Sequence, residues 1–255
     1  MTDEPAGDKP VNPIHTETDL TSQAAAHGCA STSNPGQAMK HRARREFDGW
    51  ARTYDESVVQ HLLFQPAYHL FMEELYRWRR DILGPFDLLD IGSGTGTWTA
   101  MVAGSAMQSG CVIGLDYSEK MCAVARGKGR QISEGAPEFV NADAEHLPFP
   151  DDSFDVVTCS HSFHHYPHQA ATVREMYRVL RPRGRLMLID GFRDNMIGWV
   201  VFDVFITRGE STPEAKVYHP SWKTMRQYFV DAGFKDIRQR KTSIWAPIFL
   251  TIGVV

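Results

Sequence analysis

Apolar positions recur at three- and four-residue steps between residues 61 and 81: Leu62, Leu63, Tyr68, Leu70, Phe71, Leu75 and Trp78. That period predicts a helix with one buried face, with Pro66 at an early turn or kink. Gly84 and Pro85 then punctuate the chain, and the pattern changes. Short apolar runs at 86–91, 110–115, 138–140, 154–159 and 185–189 alternate with helix-length stretches at 97–107, 118–127 and 169–180. Runs of this kind, apolar on both faces, predict parallel strands covered by helices on both sides, an α/β fold. The end differs. Residues 221–232 read as a helix closed by Gly233, and 234–242 and 247–254 read as two strands with no helix between them. They predict an antiparallel hairpin at one sheet edge, which brings the sheet to seven strands.

Residues 1–46 lack this periodicity and are rich in Ser, Thr, Asn, Gly, Pro, Asp and Ala, so they are expected to be a disordered tail. The basic run Lys40, His41, Arg42, Arg44, Arg45 that closes it reads as a solvated helix start, with a phosphate or nucleic-acid contact as the alternative. Order is expected over 47–255: a helical cap, the sheet, and an insertion at 192–220. Of 255 residues, 42% are apolar and 23% charged, which excludes a wholly disordered or fibrous chain. Net charge is −4, from 27 basic and 31 acidic side chains, which disfavours a dedicated nucleic-acid binder. Cys29, Cys111, Cys122 and Cys159 show no CxxC spacing, so reduced thiols are expected rather than zinc ligands or disulfides. No apolar run reaches the roughly 18 residues of a membrane span, and the acidic, polar N-terminus is unlike a signal peptide. The expectation is a cytoplasmic protein without stable membrane insertion.

The chemistry concentrates at strand ends. Leu88-Leu89-Asp90-Ile91-Gly92-Ser93-Gly94-Thr95-Gly96 runs from a strand into a turn of three glycines and then a helix. Glycines there allow close backbone approach to a ligand, and the helix start suits an anionic group. The spacing is GxGxG, neither the GxGxxG of dinucleotide binders nor a P-loop. Asp90, just before the glycines, would repel a pyrophosphate and suit an amine-bearing ligand. Asp116 ends the next strand, about twenty positions past the glycines, where an acid accepts hydrogen bonds from ribose hydroxyls. A helix-capping role competes for it. Asp143, in Asn141-Ala142-Asp143-Ala144, is placed to accept from an exocyclic adenine amine, and the Ala144 amide to donate to a ring nitrogen. Three successive strands ending in acids favour one adenosine-type ligand across their C-terminal ends.

In combination, DIGSGTG, GLDYS, NADAEHLPFPDDSFDVV and EMYRVLRPRGRL resemble the class I S-adenosylmethionine-dependent methyltransferases, in the group of the ubiquinone/menaquinone C-methyltransferases. The resemblance covers residues 47–190 well and the last sixty in outline. It implies a Rossmann-like sheet and S-adenosylmethionine as cofactor. Asp90 would lie near the methionine amine, with Gly92, Ser93, Gly94 and Gly96 under the methionine and ribose. Asp116 would take the ribose, and Tyr117 and Met121 would line the adenine pocket. Asp143 and Ala144 would read the adenine edge, and Ser160 would touch the cofactor. Residues 47–55 resemble an FDxxAxxYD entry motif whose Tyr54 covers the cofactor. Ser93 stands where Cys is frequent, and Arg183 replaces a turn glycine.

Methyl transfer needs in-line alignment, and a base only where the acceptor must lose a proton. Among His161, His164, His165 and His168, the resemblance implies pocket-wall roles without metal. His161 and His164 are the candidates for a base or substrate contact. The apolar run 197–206 inside 192–220 is expected to cover an apolar or aromatic small-molecule acceptor, with packing on the sheet or on a second subunit as the alternative. A homodimer stays open. So do two other functions: methylation of tRNA or protein, and non-catalytic cofactor binding.

Overall fold

The computed structural model describes residues 35–56, 64–82, 84–107, 109–132, 135–191, 218–241 and 248–255. Residues 1–34 and the core of the expected lid, 192–217, lie outside them. Seven strands form one sheet in the order β3-β2-β1-β4-β5-β7-β6. These are β1 Phe86–Ile91, β2 Ser109–Asp116, β3 Glu138–Asn141, β4 Phe154–Ser160, β5 Leu180–Gly191, β6 Lys235–Lys241 and β7 Ile248–Val254. β1 to β5 pair in parallel, and β7 runs antiparallel to both β5 and β6. The helices are α1 Pro35–Trp50, α2 Gln65–Arg79, α3 Thr97–Ala103, α4 Glu119–Gly129, α5 Gln169–Arg178 and α6 Trp222–Ala232.

The apolar runs follow from burial on two faces. In β1, Leu89 and Ile91 enter the core cluster shared with Val173 and Met176 of α5 and Met225 and Phe229 of α6. Phe86 and Leu88 enter the opposite cluster, with Leu70, Phe71, Leu75 and Trp78 of α2 and Trp98 of α3. Leu186 and Leu188 of β5 divide from Met187 and Ile189 in the same way. Alternate residues thus meet different helical layers. Local chemistry sets the helix ends. Ser118 accepts from the Met121 amide at 3.2 Å at the start of α4, and Ser221 accepts from the Thr224 amide at 2.9 Å at the start of α6. Gly233 closes α6 with φ +103°.

Three expectations change. Residues 35–46 are not a disordered tail; they are most of α1. No residue of α1 is buried, so no apolar stripe announced it. What orders it is a set of polar and aromatic contacts to distant loops, described below. The helix expected over 97–107 stops at Ala103, where Gly104 follows. The antiparallel hairpin lies at the sheet edge as expected, with its apolar C-terminal strand on the inner side. β7, IFLTIGV, is buried between β5 and β6, and the charged β6, KDIRQRK, is outermost. Charge on the exposed strand discourages further pairing. β5 begins at Leu180 rather than 185, because the Arg-Pro-Arg-Gly stretch continues the strand, with Arg183 at φ +70° where the resemblance has glycine. Among the described residues no helix is long and apolar enough to cross a membrane.

Candidate functional site

The turn after β1 is tied to the turn after β2 through one carboxylate. Asp116 accepts from the Gly94 amide at 2.9 Å and from the Ser118 amide at 2.8 Å. Burial pushes its carboxyl up, and these two amides oppose the rise. The Gly92 and Ser93 amides donate to the Leu115 carbonyl at 2.8 and 3.0 Å. The glycines do different work. Gly96 has φ +75°, and a Cβ there would stand 2.7 Å from the Phe139 ring and 2.8 Å from Ala125 Cβ. Gly94 has φ +54°, and a Cβ there would meet nothing nearer than Tyr54 Cε1 at 3.9 Å. Gly94 therefore faces open space beneath the tyrosine, while Gly96 faces the packed side of the loop.

Beside this loop is a cavity of about 70 Å³. Gly92, Asp116, Tyr117, Asp143 and Ala144 line it from the strand ends. Lys40, Ala43, Arg44 and Phe47 line it from α1, a spacing that places them on one helix face. Lys40 Nζ is 2.6 Å from Asp143 Oδ2 and 2.5 Å from Glu145 Oε2. The Phe47 ring meets His165 edge-on with centroids 5.0 Å apart. The next turn is also clamped, since Asp55 accepts from Thr95 at 2.6 Å and pairs with Lys128 at 2.6 Å. This holds Tyr54 above the glycines, within 6.4 Å of the Phe47 ring. Each carboxylate oxygen accepts two hydrogen bonds, so Asp116 and Asp143 keep capacity beyond their present partners. Two acceptors beside an uncrowded glycine fit the hydroxyls and amine of an adenosine-type cofactor.

Seven of the expected contacts lie elsewhere or only beside this wall. Asp90 is 2% exposed, and its oxygens accept inside the protein from Thr99 at 2.8 Å and Thr158 at 2.9 Å. The Trp98 indole donates to the same Thr158 hydroxyl at 3.0 Å. Burial pushes the Asp90 carboxyl up to about 7, against the two threonine bonds. Met121 is buried under α4 rather than lining the cavity. Ser93 and Ser160 have buried hydroxyls with no hydrogen-bond partner among the described residues. Gly94, Gly96 and Tyr54 frame the loop beside the cavity.

The histidine segment after β4 divides in role. His161 adopts φ +51° and packs on Phe64 with centroids 4.6 Å apart. His165 lines the cavity, the pocket-wall place the resemblance implied, as do Ser162 and Tyr166. Burial, and then the neighbouring His164, hold the His165 imidazole well below its usual range. His164 Nδ1 lies 2.7 Å from Asp190 Oδ1 at the end of β5. Asp190 is 1% exposed. Burial alone would raise its carboxyl, but His164, followed by His219 and His161, holds it well below the carboxylate range. Lys40, Arg44, Phe47 and His165 carried a sequence signal, in the basic run, the entry motif and the histidine segment. Asp190 and His219 had none, because their partners are far along the chain.

The family model described as methyltransferase domain matches residues 89–188. The demethylmenaquinone methyltransferase of Listeria welshimeri serovar 6b is 33% identical over 188 residues, covering 64% of this chain and 78% of that protein. That of Lactococcus lactis is 32% identical over 218 residues, covering 79% and 85%. Among solved structures, magnesium protoporphyrin IX methyltransferase of Synechocystis PCC 6803 with bound SAH is 25% identical, with TM-score 0.63 over 85% of this chain and 99% of that one. A Haloferax volcanii methyltransferase in complex with its Trm112 activator shares the fold, with TM-score 0.65 over 82% and 97% at 20% identity.

Proposed function

This chain belongs to the S-adenosylmethionine-dependent methyltransferases, and on that premise we propose that it methylates an apolar or aromatic small molecule seated beside β4 and β5. One relative is named for a quinone precursor and a structural neighbour for a porphyrin, both extended conjugated molecules, which supports this acceptor class. A net charge of −4 argues against a nucleic-acid acceptor.

The bound cofactor supplies a methyl group made electrophilic by its sulfonium. The chain's own residues bind, orient and exclude water. Asp116 accepts from the ribose hydroxyls while the Gly94 and Ser118 amides hold its carboxylate in place. Asp143 and the Ala144 amide take the adenine edge. Tyr54 and Phe47 cover the loop, and α1 closes the cavity from above, which shields the reacting atoms and fixes their approach. Asp90 braces the start of α3 against β4 through Thr99 and Thr158.

The observation that carries this reading is the opening of Asp116 and Asp143, from adjacent strands, on one cavity beside the glycine turn. Calorimetric titration with S-adenosylmethionine and SAH tests it. Micromolar binding that weakens at least ten-fold in Asp116→Ala is expected, since charged hydrogen bonds contribute about 1.5–3 kcal/mol each. Screening acceptors with a labelled methyl donor follows. A folded wild-type protein that binds neither compound refutes the reading.

A further inference from the structure

The turn Phe163–His165, between β4 and α5, holds a second constellation beside the cofactor cavity. Asp190 Oδ1 accepts from the Gly191 amide at 2.6 Å, and Oδ2 from the His164 amide at 2.9 Å. These backbone bonds leave the buried carboxylate one orientation. In it, Oδ1 meets His164 Nδ1 at 2.7 Å. An ionised carboxylate only accepts, so the ring nitrogen facing it carries the proton, and in the neutral imidazole Nε2 then keeps its lone pair. His164 Nε2 has no hydrogen-bond partner among the described residues, and 17% of the side chain is accessible. The His219 ring stacks on the His164 ring at 4.5 Å and 28°, and the His165 ring lies 4.2 Å away on the cavity wall. The Tyr218 amide donates to the His164 carbonyl at 3.3 Å, and Gln169 Nε2 bonds the Phe163 and Tyr218 carbonyls. The imidazole is thus oriented from several sides.

We propose that His164 is the proton acceptor of the methyl transfer, with Asp190 its positioning residue, and that the acceptor molecule carries an ionisable hydroxyl, phenolic or enolic. The proposal rests on the methyltransferase reading above. His164 Nε2 takes the hydroxyl proton. The acceptor's oxygen, or a carbon conjugated with it, forms a bond to the methyl carbon as the carbon–sulfur bond breaks and its electron pair stays on sulfur. The imidazolium then returns its proton to water. The arrangement matches the carboxylate–imidazole pairing used for base catalysis elsewhere.

A divalent ion held by His164, Asp190 and His219 is the competing reading, since one ligand atom from each lies within 4.8 Å of the others. The distances decide against it. Two atoms about 2.1 Å from one tetrahedral ion stand roughly 3.4 Å apart. His164 and Asp190 are at hydrogen-bond distance, 2.7 Å, and His219 Nδ1 is 3.8 Å from the same oxygen. Oδ1 already accepts from Gly191 as well. The pair is built to share a proton.

Two measurements on the full chain with bound SAH test the proposal. The first is long-range proton–nitrogen NMR of histidine-labelled protein. One histidine is expected to carry its proton on Nδ1, to vanish in His164→Gln, and to lose that tautomer in Asp190→Asn. Where His164→Gln fails to fold, His164→Asn makes the assignment. A proton on Nε2 overturns the proposal, as does stoichiometric zinc retained after dialysis with loss of the Nδ1 signal. The second uses substituted naphthols and nitrophenols as acceptors, spanning hydroxyls that are protonated and ionised at the assay pH. His164→Gln is expected to lose about 10²–10⁴-fold in turnover on protonated acceptors and only a few-fold on ionised ones. An equal loss across the series overturns the base. Wild-type protein that binds SAH but methylates none of the series overturns the acceptor class. Wild-type protein that binds no SAH fails the methyltransferase reading itself, and the tautomer still decides the dyad.

Discussion

Replacing Gly94 and Gly96 separately by alanine should divide cofactor binding from folding within one three-glycine turn. Both have positive φ, +54° and +75°, which costs a non-glycine residue about 1–2 kcal/mol. At Gly94 that is the whole penalty, because the new methyl meets nothing closer than 3.9 Å. At Gly96 the methyl would stand 2.7 Å from Phe139 and 2.8 Å from Ala125, and overpacking adds about 1–3 kcal/mol. The expected totals are about 1–2 kcal/mol for Gly94→Ala and about 2–5 kcal/mol for Gly96→Ala. In a domain of this size each kcal/mol lowers Tm by roughly 2–4 °C. Binding should reverse the order. The Gly94 methyl enters the space beneath Tyr54 and should weaken SAH at least ten-fold, equivalent to about 1.4 kcal/mol. Gly96→Ala, assayed below its own Tm, should stay within a few-fold of wild type. Urea denaturation, thermal melts and calorimetric titration on the same preparations supply the numbers. If Gly94→Ala binds SAH as wild type does, or melts as low as Gly96→Ala, the assignment of one glycine to the ligand and the other to packing is wrong.

The buried Asp90 should make stability fall with pH. Its folded form holds a proton up to about pH 7 that the unfolded chain releases near 4, so stability is lost as pH rises through that window, by at most about 4 kcal/mol. Asp90→Asn does not titrate, so its stability relative to wild type should improve between pH 5 and pH 8 in chemical denaturation; a constant difference would rule this out. Lys40→Met should detach α1 by leaving Glu145, 4% exposed, without its cation. Trypsin cleavage within residues 42–45 should then speed up about ten-fold, and an unchanged rate would show that the ion pair does not hold the helix. Arg178 joins Glu175, Asp151 and the carbonyls of Leu147 and Phe149. Arg178→Ala should cost about 1–3 kcal/mol, and Arg178→Lys should recover less than half, since one ammonium does not replace the guanidinium fork; a lysine variant as stable as wild type refutes this.

Both the strand–helix alternation and the glycine turn were legible in the chain. Each depends on neighbours within a few residues, such as the two-faced burial of Phe86–Ile91 or the cap at Ser118. Asp116 and Asp143 were legible for the same reason, as acids at the ends of predicted strands. Asp90 was legible as a strand residue, without its two threonine partners. Its partners Thr99 and Thr158 come from α3 and β4, and only the folded sheet brings Thr158 beside it.

The amino-acid sequence by itself determined the alternating elements, the parallel sheet and the glycine turn, because hydrophobic period and backbone permissiveness act locally. Tertiary structure alone decided three further matters. It ordered α1 over the cavity through Lys40 and Asp143, 103 positions apart. It placed β7 inside β6. It also set Asp190 against His164, 26 positions away, with His219 stacked behind. Such contacts leave no periodic trace, because each is one pairing between distant segments, and its partner is defined only once the sheet has closed the distance between them.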